Sequence, residues 1–265
     1  MPSLHALYIY PLKSCAPLAR DSAQVEARGL SHDRRWMAVD EHGRFLTARK
    51  HPRLTLIRAH PDGDWLTLEA PGMPRLHVVP AHDASRVDVT VWKSGLRAHA
   101  ADQSANDWIS RFLEQPARLV FMDNACQRPV DRDYGRDGDE VSFADGYPLL
   151  LISQAALDQL NRKLASPVSM LRFRPNIVVD GVAAHAEDAW RRIRIGNIEF
   201  DIIKPCTRCT LTTVDPETGE FDPDGEPLRT LTTYRRGDKG VTFGQNLIPR
   251  GDGVIRIGDP VEVVA

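Results

Sequence analysis

The amino-acid sequence predicts an α+β fold that is mostly β, with a barrel-like second half. Three observations carry this. Short strand-like segments separated by tight-turn sequences fill the first half of the chain. Helical periodicity is confined to the middle. β-branched clusters dominate from Ile177 onward.

Leu4 to Leu12 alternates, with Leu4, Ala6, Tyr8 and Tyr10 on one face of a strand. Arg35–Val39, the turn Asp40-Glu41-His42-Gly43 and Arg44–Thr47 read as a hairpin. Leu54–Ala59 and Trp65–Glu69 flank Pro61-Asp62-Gly63-Asp64, a second hairpin. Leu76–Val79 and Val87–Trp92 are extended. The first helix follows Asp102: over Ser104–Leu113, Trp108, Ile109, Phe112 and Leu113 share a face. The second starts at Ser153 as N-cap and carries Ala156, Leu157, Leu160 and Leu164. A short third, Val168–Arg172, stops before Pro175. Ile177–Asp180, Ile193–Ile195, Ile198–Ile203, Leu211–Val214, Gly240–Leu247 and Val254–Val264 read as strands, with Gly196-Asn197 as a turn. A boundary is expected between Asp102 and Asp123, giving domains 1–120 and 121–265. There is no repeat and no low-complexity segment.

The 265 residues are enough for one large domain or two small ones. The 34 basic and 36 acidic residues nearly cancel, which argues against nucleic acid as a partner. No apolar run approaches a membrane span, so no membrane partner is expected. The N-terminal segment reads as a strand, not a signal peptide. Four cysteines do not make a disulfide framework, and a cytoplasmic location is expected.

Chemistry concentrates at Pro205-Cys206-Thr207-Arg208-Cys209. A thioredoxin-type pair needs a helix after the first cysteine, whereas Thr210–Val214 is strand-like. Zinc and iron–sulfur sites need further ligands at local spacing, and Cys15 and Cys126 are solitary. Two readings stay open. One cysteine is a thiolate ligand or nucleophile beside Arg208, whose charge would favour the thiolate, or both are small buried side chains. Arg172-Phe173-Arg174-Pro175-Asn176 is an anion clamp or a solvated loop. Lys13-Ser14 suits phosphate or an ordinary turn, and Asp33-Arg34 an anion or an exposed ion pair. Together these put cations at strand ends of a chain without net positive charge, which favours a local anionic ligand. Arg236-Gly237-Asp238 and Arg250-Gly251-Asp252 read as turns. His185-Ala186-Glu187 is not a metalloprotease motif, and no glycine-rich nucleotide loop occurs.

The run from Cys206 through Val214-Asp215-Pro216-Glu217-Thr218-Gly219 resembles the signature of MOSC-domain proteins, and within them the amidoxime-reducing group. Further matches in the same order are Tyr10-Pro11-Leu12-Lys13-Ser14-Cys15, Asp33-Arg34-Arg35-Trp36, Phe173–Val178, Phe243-Gly244-Gln245 and Gly258-Asp259-Pro260-Val261. The resemblance covers nearly the whole chain. It implies an N-terminal β-barrel-like domain followed by a MOSC β-barrel domain.

It further implies a molybdenum cofactor (molybdopterin) with Cys209 as the catalytic metal ligand. Lys13, Ser14, Arg34, Asp145, Arg174, Asn176, Thr207 and Arg208 would bind the cofactor. Thr207 departs from the serine usual there but keeps the hydroxyl. Gly146-Tyr147 departs from a small polar pair, and Cys206 is expected to be structural. The implied reaction reduces an N-hydroxylated small-molecule substrate to its N–H form and water. Relatives with a fused ferredoxin-like domain, or with an N-terminal targeting and membrane segment, carry parts not expected here. Electrons would then come from a separate flavin reductase or iron–sulfur protein. The alternatives are a sulfur carrier or cofactor-sulfurylation module using Cys209, without the pyridoxal phosphate-dependent partner domain of the sulfurases, and a non-catalytic cofactor carrier.

Overall fold

The computed structural model describes residues 1–80 and 86–265. Strands far outnumber helices, as expected, and a nine-stranded sheet dominates. Its order runs Val261–Val263, Arg192–Ile195, Ile198–Thr207, Gly240–Pro249, Leu149–Ser153, Ile177–Asp180, Ser3–Ile9 and Leu18–Arg20, with Arg236–Gly237 as a hairpin arm on Gly240–Pro249. Neighbours are antiparallel except Leu149–Ser153 and Ile177–Asp180, which are parallel and need a crossover. Helix α2, Gln154–Asn161, supplies it, and the Ser153 hydroxyl caps it by accepting from Ala156 N.

The sheet closes on itself. Leu4 N donates to the Asp259 carbonyl, Gly258 N to the Leu4 carbonyl, and Val261 N to the Pro2 carbonyl. Closure removes the open edge. Alternate residues fill the interior: Leu4, Leu149, Leu151, Ile177, Val179, Ile193, Ile195, Phe200 and Leu247 form one buried cluster. The opposite faces of the same strands, Leu150, Ile152, Val178 and Phe243, pack under α2 and Leu231 of a third helix, Leu228–Tyr234. Leu149–Ser153 is therefore buried on both faces. That is why it reads in sequence as a plain apolar run instead of an alternating strand.

The other half packs around Tyr10, Leu12, Trp36, Leu54, Leu66, Leu68 and Leu119. Helix α1, Gln103–Leu113, lies on this core through Ala105, Trp108, Ile109 and Phe112. Asp102 caps it by accepting from Ala105 N at 2.8 Å. Two smaller sheets complete this half: Trp36–Val39, Arg118–Phe121, Ser94–Ala100 and Arg86–Val91 form one, and Arg58–Asp62, Trp65–Glu69 and Leu76–Val78 the other. Ser22–Glu26 instead pairs on one side with Gly253–Arg256, a late strand, and on the other with Gly29–Leu30. The first thirty residues thus lean on the second half of the chain. Among the described residues no helix is long and apolar enough to cross a membrane.

Several local expectations need correction. Arg44–Thr47 is a shorter hairpin arm than expected: around the antiparallel bridge of Val39 to Phe45, Asp40 N donates to the Arg44 carbonyl and Leu46 N to the Ala38 carbonyl, before the chain turns inward so that Ala48 N reaches the Ser14 hydroxyl. Pro52–Leu56 is a 3-10 helix, and the strand begins at Arg58. The short third helix is the 3-10 segment Met170–Phe173. Thr210–Thr213 is a 3-10 turn, not a strand, because the Thr212 and Thr213 hydroxyls donate back to the Cys209 and Thr210 carbonyls. Val254–Val264 is two strands in different sheets, split at Gly258.

Gly244 sits inside its strand at φ 80°, where an added Cβ would lie 2.6 Å from both Ile152 Cγ1 and the Leu151 carbonyl oxygen. Gly244→Ala should therefore destabilise the protein by about 3 kcal/mol. Urea denaturation measures this; a loss below about 1 kcal/mol would mean that the strand pair yields to the methyl.

Candidate functional site

A cavity of about 140 Å³ lies between the two halves. It is lined by the turn after Ser3–Ile9, the 34–49 stretch, the 144–147 loop, the 172–176 junction and the end of Ile198–Thr207 with the turn beyond, together with Leu149, Leu150 and Asn246 of the large sheet. All nine sequence-selected residues line it: Lys13, Ser14, Arg34, Asp145, Arg174, Asn176, Thr207, Arg208 and Cys209.

Backbone hydrogen bonds hold these segments together. Lys13 N donates to the Trp36 carbonyl, Arg34 N to the Tyr10 carbonyl and Phe143 N to the Arg34 carbonyl. Ser14, Arg34 and Arg174 adopt left-handed φ values of 71°, 50° and 56°. Non-glycine residues hold that region only where surroundings over-determine it. The surroundings here are charge and stacking. The Arg34 and Arg174 guanidinium carbons lie 4.2 and 4.1 Å from the centre of the buried Tyr10 ring. Tyr10 OH donates to the Pro175 carbonyl, and burial pushes that phenol up.

Asp33 is buried, pairs with Arg34 and accepts from Tyr10 N at 2.8 Å. This pair is an internal one, not an exposed strand-start bridge. Burial raises the Asp33 carboxyl against the pull of Arg34. Asn176 is a structural junction. Its Oδ1 accepts from Arg34 Nη1 and Leu150 N, and its Nδ2 donates to the Tyr8 carbonyl. It lines the cavity with its amide already committed to the protein.

Lys13 is buried and donates to the Phe143 carbonyl at 2.7 Å and Asp145 Oδ1 at 2.6 Å. Burial lowers its pKa to about 8, against the opposing charge of Asp145. For Asp145, desolvation acts upward, but Lys13, then Arg49 and the Trp92 N–H, hold the carboxyl well below the usual range. Arg172 lines the cavity while donating to the Thr213 carbonyl and Asp215, both at 3.0 Å, and so braces the turn after Cys209.

The cysteines sort by environment. Burial pushes Cys15 up to about 11 and also raises Cys126. Cys206 and Cys209 are half-buried free thiols at the cavity. Arg208 turns to Cys206, not to Cys209: its Nη1 lies 3.0 Å from Cys206 Sγ and its Nη2 donates to the Phe173 carbonyl at 2.5 Å. The cation beside Cys209 is Arg49, with Nη1 3.6 Å from Sγ. Sequence reasoning missed Arg49, Trp92 and Arg128. Arg128 is buried, its pKa lowered to about 10 by desolvation, and it donates to the carbonyls of Ser142, Ala144 and Asp145, shaping their loop. Each is a single residue in an ordinary strand or turn sequence, so no local pattern marks it.

Among the described residues, a group bound here would meet six cationic side chains, Lys13, Arg34, Arg49, Arg172, Arg174 and Arg208, against one lining carboxylate, Asp145. Two buried donors, Arg174 Nη2 and Arg208 Nε, have no protein partner. Unpaired buried donors are costly, and an anionic ligand would satisfy them. A soft metal would find an accessible sulfur in Cys209. The residues fit an anionic, metal-bearing cofactor.

Two outcomes follow. In cofactor-free protein, unfolded Lys13 titrates near 10.5 and folded Lys13 near 8, so the unfolded chain binds more protons between those values. The stability of wild type relative to Lys13→Met should therefore rise by about 2 kcal/mol from pH 8 to pH 10.5. Taking the difference removes the buried tyrosines, which titrate with the opposite sign. Urea midpoints at both pH values test this; a flat difference would contradict it. Asn176→Ala should destabilise by about 3 kcal/mol by orphaning buried partners, and a loss under 1 kcal/mol in the same assay would deny the junction its role.

Residues 1–116 match the MOSC N-terminal beta barrel domain, and residues 138–262 match the MOSC domain. Mitochondrial amidoxime-reducing component 1 of Mus musculus is 38% identical over 96% of this chain and 80% of its own length. The Homo sapiens component 1 is 37% identical, covering 96% and 81%. Mitochondrial amidoxime reducing component 2 of Bos taurus is 36% identical, again covering 96% and 81%. These relatives overturn the expected cytoplasmic location, since they are named as mitochondrial proteins. Cysteine count and the lack of a long apolar run report on disulfides and bilayer crossing, not on an organelle. Two domain matches in order and relatives aligned along 96% of the sequence lead to one conclusion: the chain belongs to the MOSC-domain family and takes that family's molybdenum cofactor.

Proposed function

We propose that this protein is a molybdenum-dependent reductase of N-hydroxylated compounds (amidoximes, hydroxylamines and N-hydroxylated bases), working with electrons from a separate flavin reductase or iron–sulfur protein. The carrying observation is the accessible Cys209 thiol at a cavity with six cationic side chains, two of which present unpartnered buried donors. The amidoxime-reducing names of the relatives support the substrate class.

When bound, the cofactor supplies two-electron chemistry that removes the N–O oxygen as water. The chain's own residues bind and orient. Cys209 would be the metal ligand. Arg174 and Arg208 would present their free N–H groups to anionic parts of the cofactor. Lys13 would add charge from below. Ser14 accepts from Ala48 N, which leaves its hydroxyl proton free to donate, and Thr207 offers a second hydroxyl. Asp145, ionised and open to the cavity, would accept from a donor edge. Arg34 and Asn176 would act by holding the 172–176 junction in place. The domain limits 1–120 and 121–265 belong to this proposal, and the interval between the two family matches, 117–137, supports them.

Metal and pterin analysis of protein from a cofactor-competent, molybdate-supplied host tests the reading, followed by turnover of benzamidoxime with a chemical reductant. Molybdenum and pterin near one per chain, and their loss in Cys209→Ser, are expected. A well-folded protein without them, or one carrying a persulfide on Cys209, would replace the reductase reading with a sulfur carrier. Full metal without turnover would point to a cofactor carrier.

A further inference from the structure

Arg49 differs from the other cations of the cavity in what it faces and in what holds it. Its Nη1 is 3.6 Å from Cys209 Sγ and 4.0 Å from Asp145 Oδ2. Its guanidinium carbon lies 4.4 Å from the centre of the Trp92 ring. The Trp92 indole N–H donates to Asp145 Oδ1 at 3.2 Å, and the ring packs on Phe45 at 5.0 Å.

Trp92 is expensive to keep in this conformation. It has φ 55°, a left-handed value that a bulky side chain rarely adopts, and its side chain remains 45% exposed. Trp92-Lys93 is the two-residue turn between the paired Val91 and Ser94; such a turn asks for a left-handed first residue, normally glycine, and neither it nor core packing calls for a half-exposed tryptophan. The strained backbone instead delivers the ring beneath Arg49 and the indole N–H to Asp145. A planar guanidinium is suited to the result: its face stacks on the ring while its edge meets the sulfur and the carboxylate. Lysine could not do both.

We propose that Arg49 is the positioning cation of the Cys209 sulfur, and that Trp92, together with Asp145, aims it. This rests on the reading of Cys209 as the metal ligand. Arg208, the neighbour in sequence, is directed to Cys206 and does not take this role. A fixed positive charge beside the sulfur sets the local potential there and, with metal bound, favours the more reduced metal. Losing that charge should lower the metal's reduction potential.

The first test uses cofactor-free protein and reads charge at the sulfur directly. Cys209 labelling by anionic iodoacetate and neutral iodoacetamide is followed by mass spectrometry at fixed pH. The iodoacetate-to-iodoacetamide rate ratio should fall several-fold in Arg49→Met and in Trp92→Ala. Arg49→Lys should recover part of it, and Trp92→Phe most of it. A ratio unchanged in Arg49→Met, with an unchanged urea midpoint, would overturn the inference. The second test is a redox titration of molybdenum-loaded protein, in which Arg49→Met should shift the metal couple to more negative potential. An unmoved couple at full metal content would also overturn it. If wild type takes up no molybdenum, the proposed function fails, and the labelling ratio still decides the role of Arg49.

Discussion

Burial of positive charge between the two halves is the constraint on which the rest of this structure depends. Lys13, Arg34, Arg128 and Arg174 are withdrawn from water along one seam, with Asp33 and Asp145 as their acidic partners. Cations at such a place stay charged only if most of their N–H groups find an acceptor or a π face. The chain supplies these from distant segments. The carbonyls of Cys15, Phe143, Ser142, Asp145 and Arg174 point inward, and Tyr10 offers its ring to two guanidinium groups. The turns at 10–15, 33–35, 142–147 and 172–176 are thus held by what they coordinate as much as by their own propensities.

The left-handed backbone at Ser14, Arg34, Trp92 and Arg174 belongs to the same constraint. Each residue would be easier to place elsewhere in conformational space. Each sits where the chain must reverse abruptly to present a polar or aromatic group to the seam. Strain concentrates at the cavity and is absorbed by the closed sheet and by α1 and α2, which are capped and apolar on their buried faces.

The cavity was legible in sequence to the extent that residue type alone carries chemistry. Lysines, arginines and cysteines next to strand ends, with an anion clamp at Arg172–Asn176, pointed to one anionic ligand. The family resemblance then joined segments that spacing could not. What stayed hidden had physical reasons. Arg49 gains its meaning only from a partner forty-three residues later, Trp92, delivered by a sheet whose register no local pattern encodes. Leu149–Ser153 lacks alternation because both its faces are buried. The threonine-rich Thr210–Thr213 looks extended by propensity, yet its hydroxyls bond the preceding carbonyls and wind it into a turn. The pairing of Ser22–Glu26 with Gly253–Arg256 spans most of the chain, beyond any hairpin rule.

That last pairing, and the closure of the large sheet by residues 2–4 against 258–261, bear on how the molecule is made. On a ribosome, Ser3–Ile9 emerges well before its partner strand Ile177–Asp180, which appears only after the whole N-terminal core has been synthesised. The closing contacts wait for the last few residues of the sheet. Until then this strand has only Leu18–Arg20 beside it, and bringing it to its distant partners requires closing very long loops. Translation rate and chaperone cover of this one segment, more than the stability of the finished fold, would set the yield of native protein.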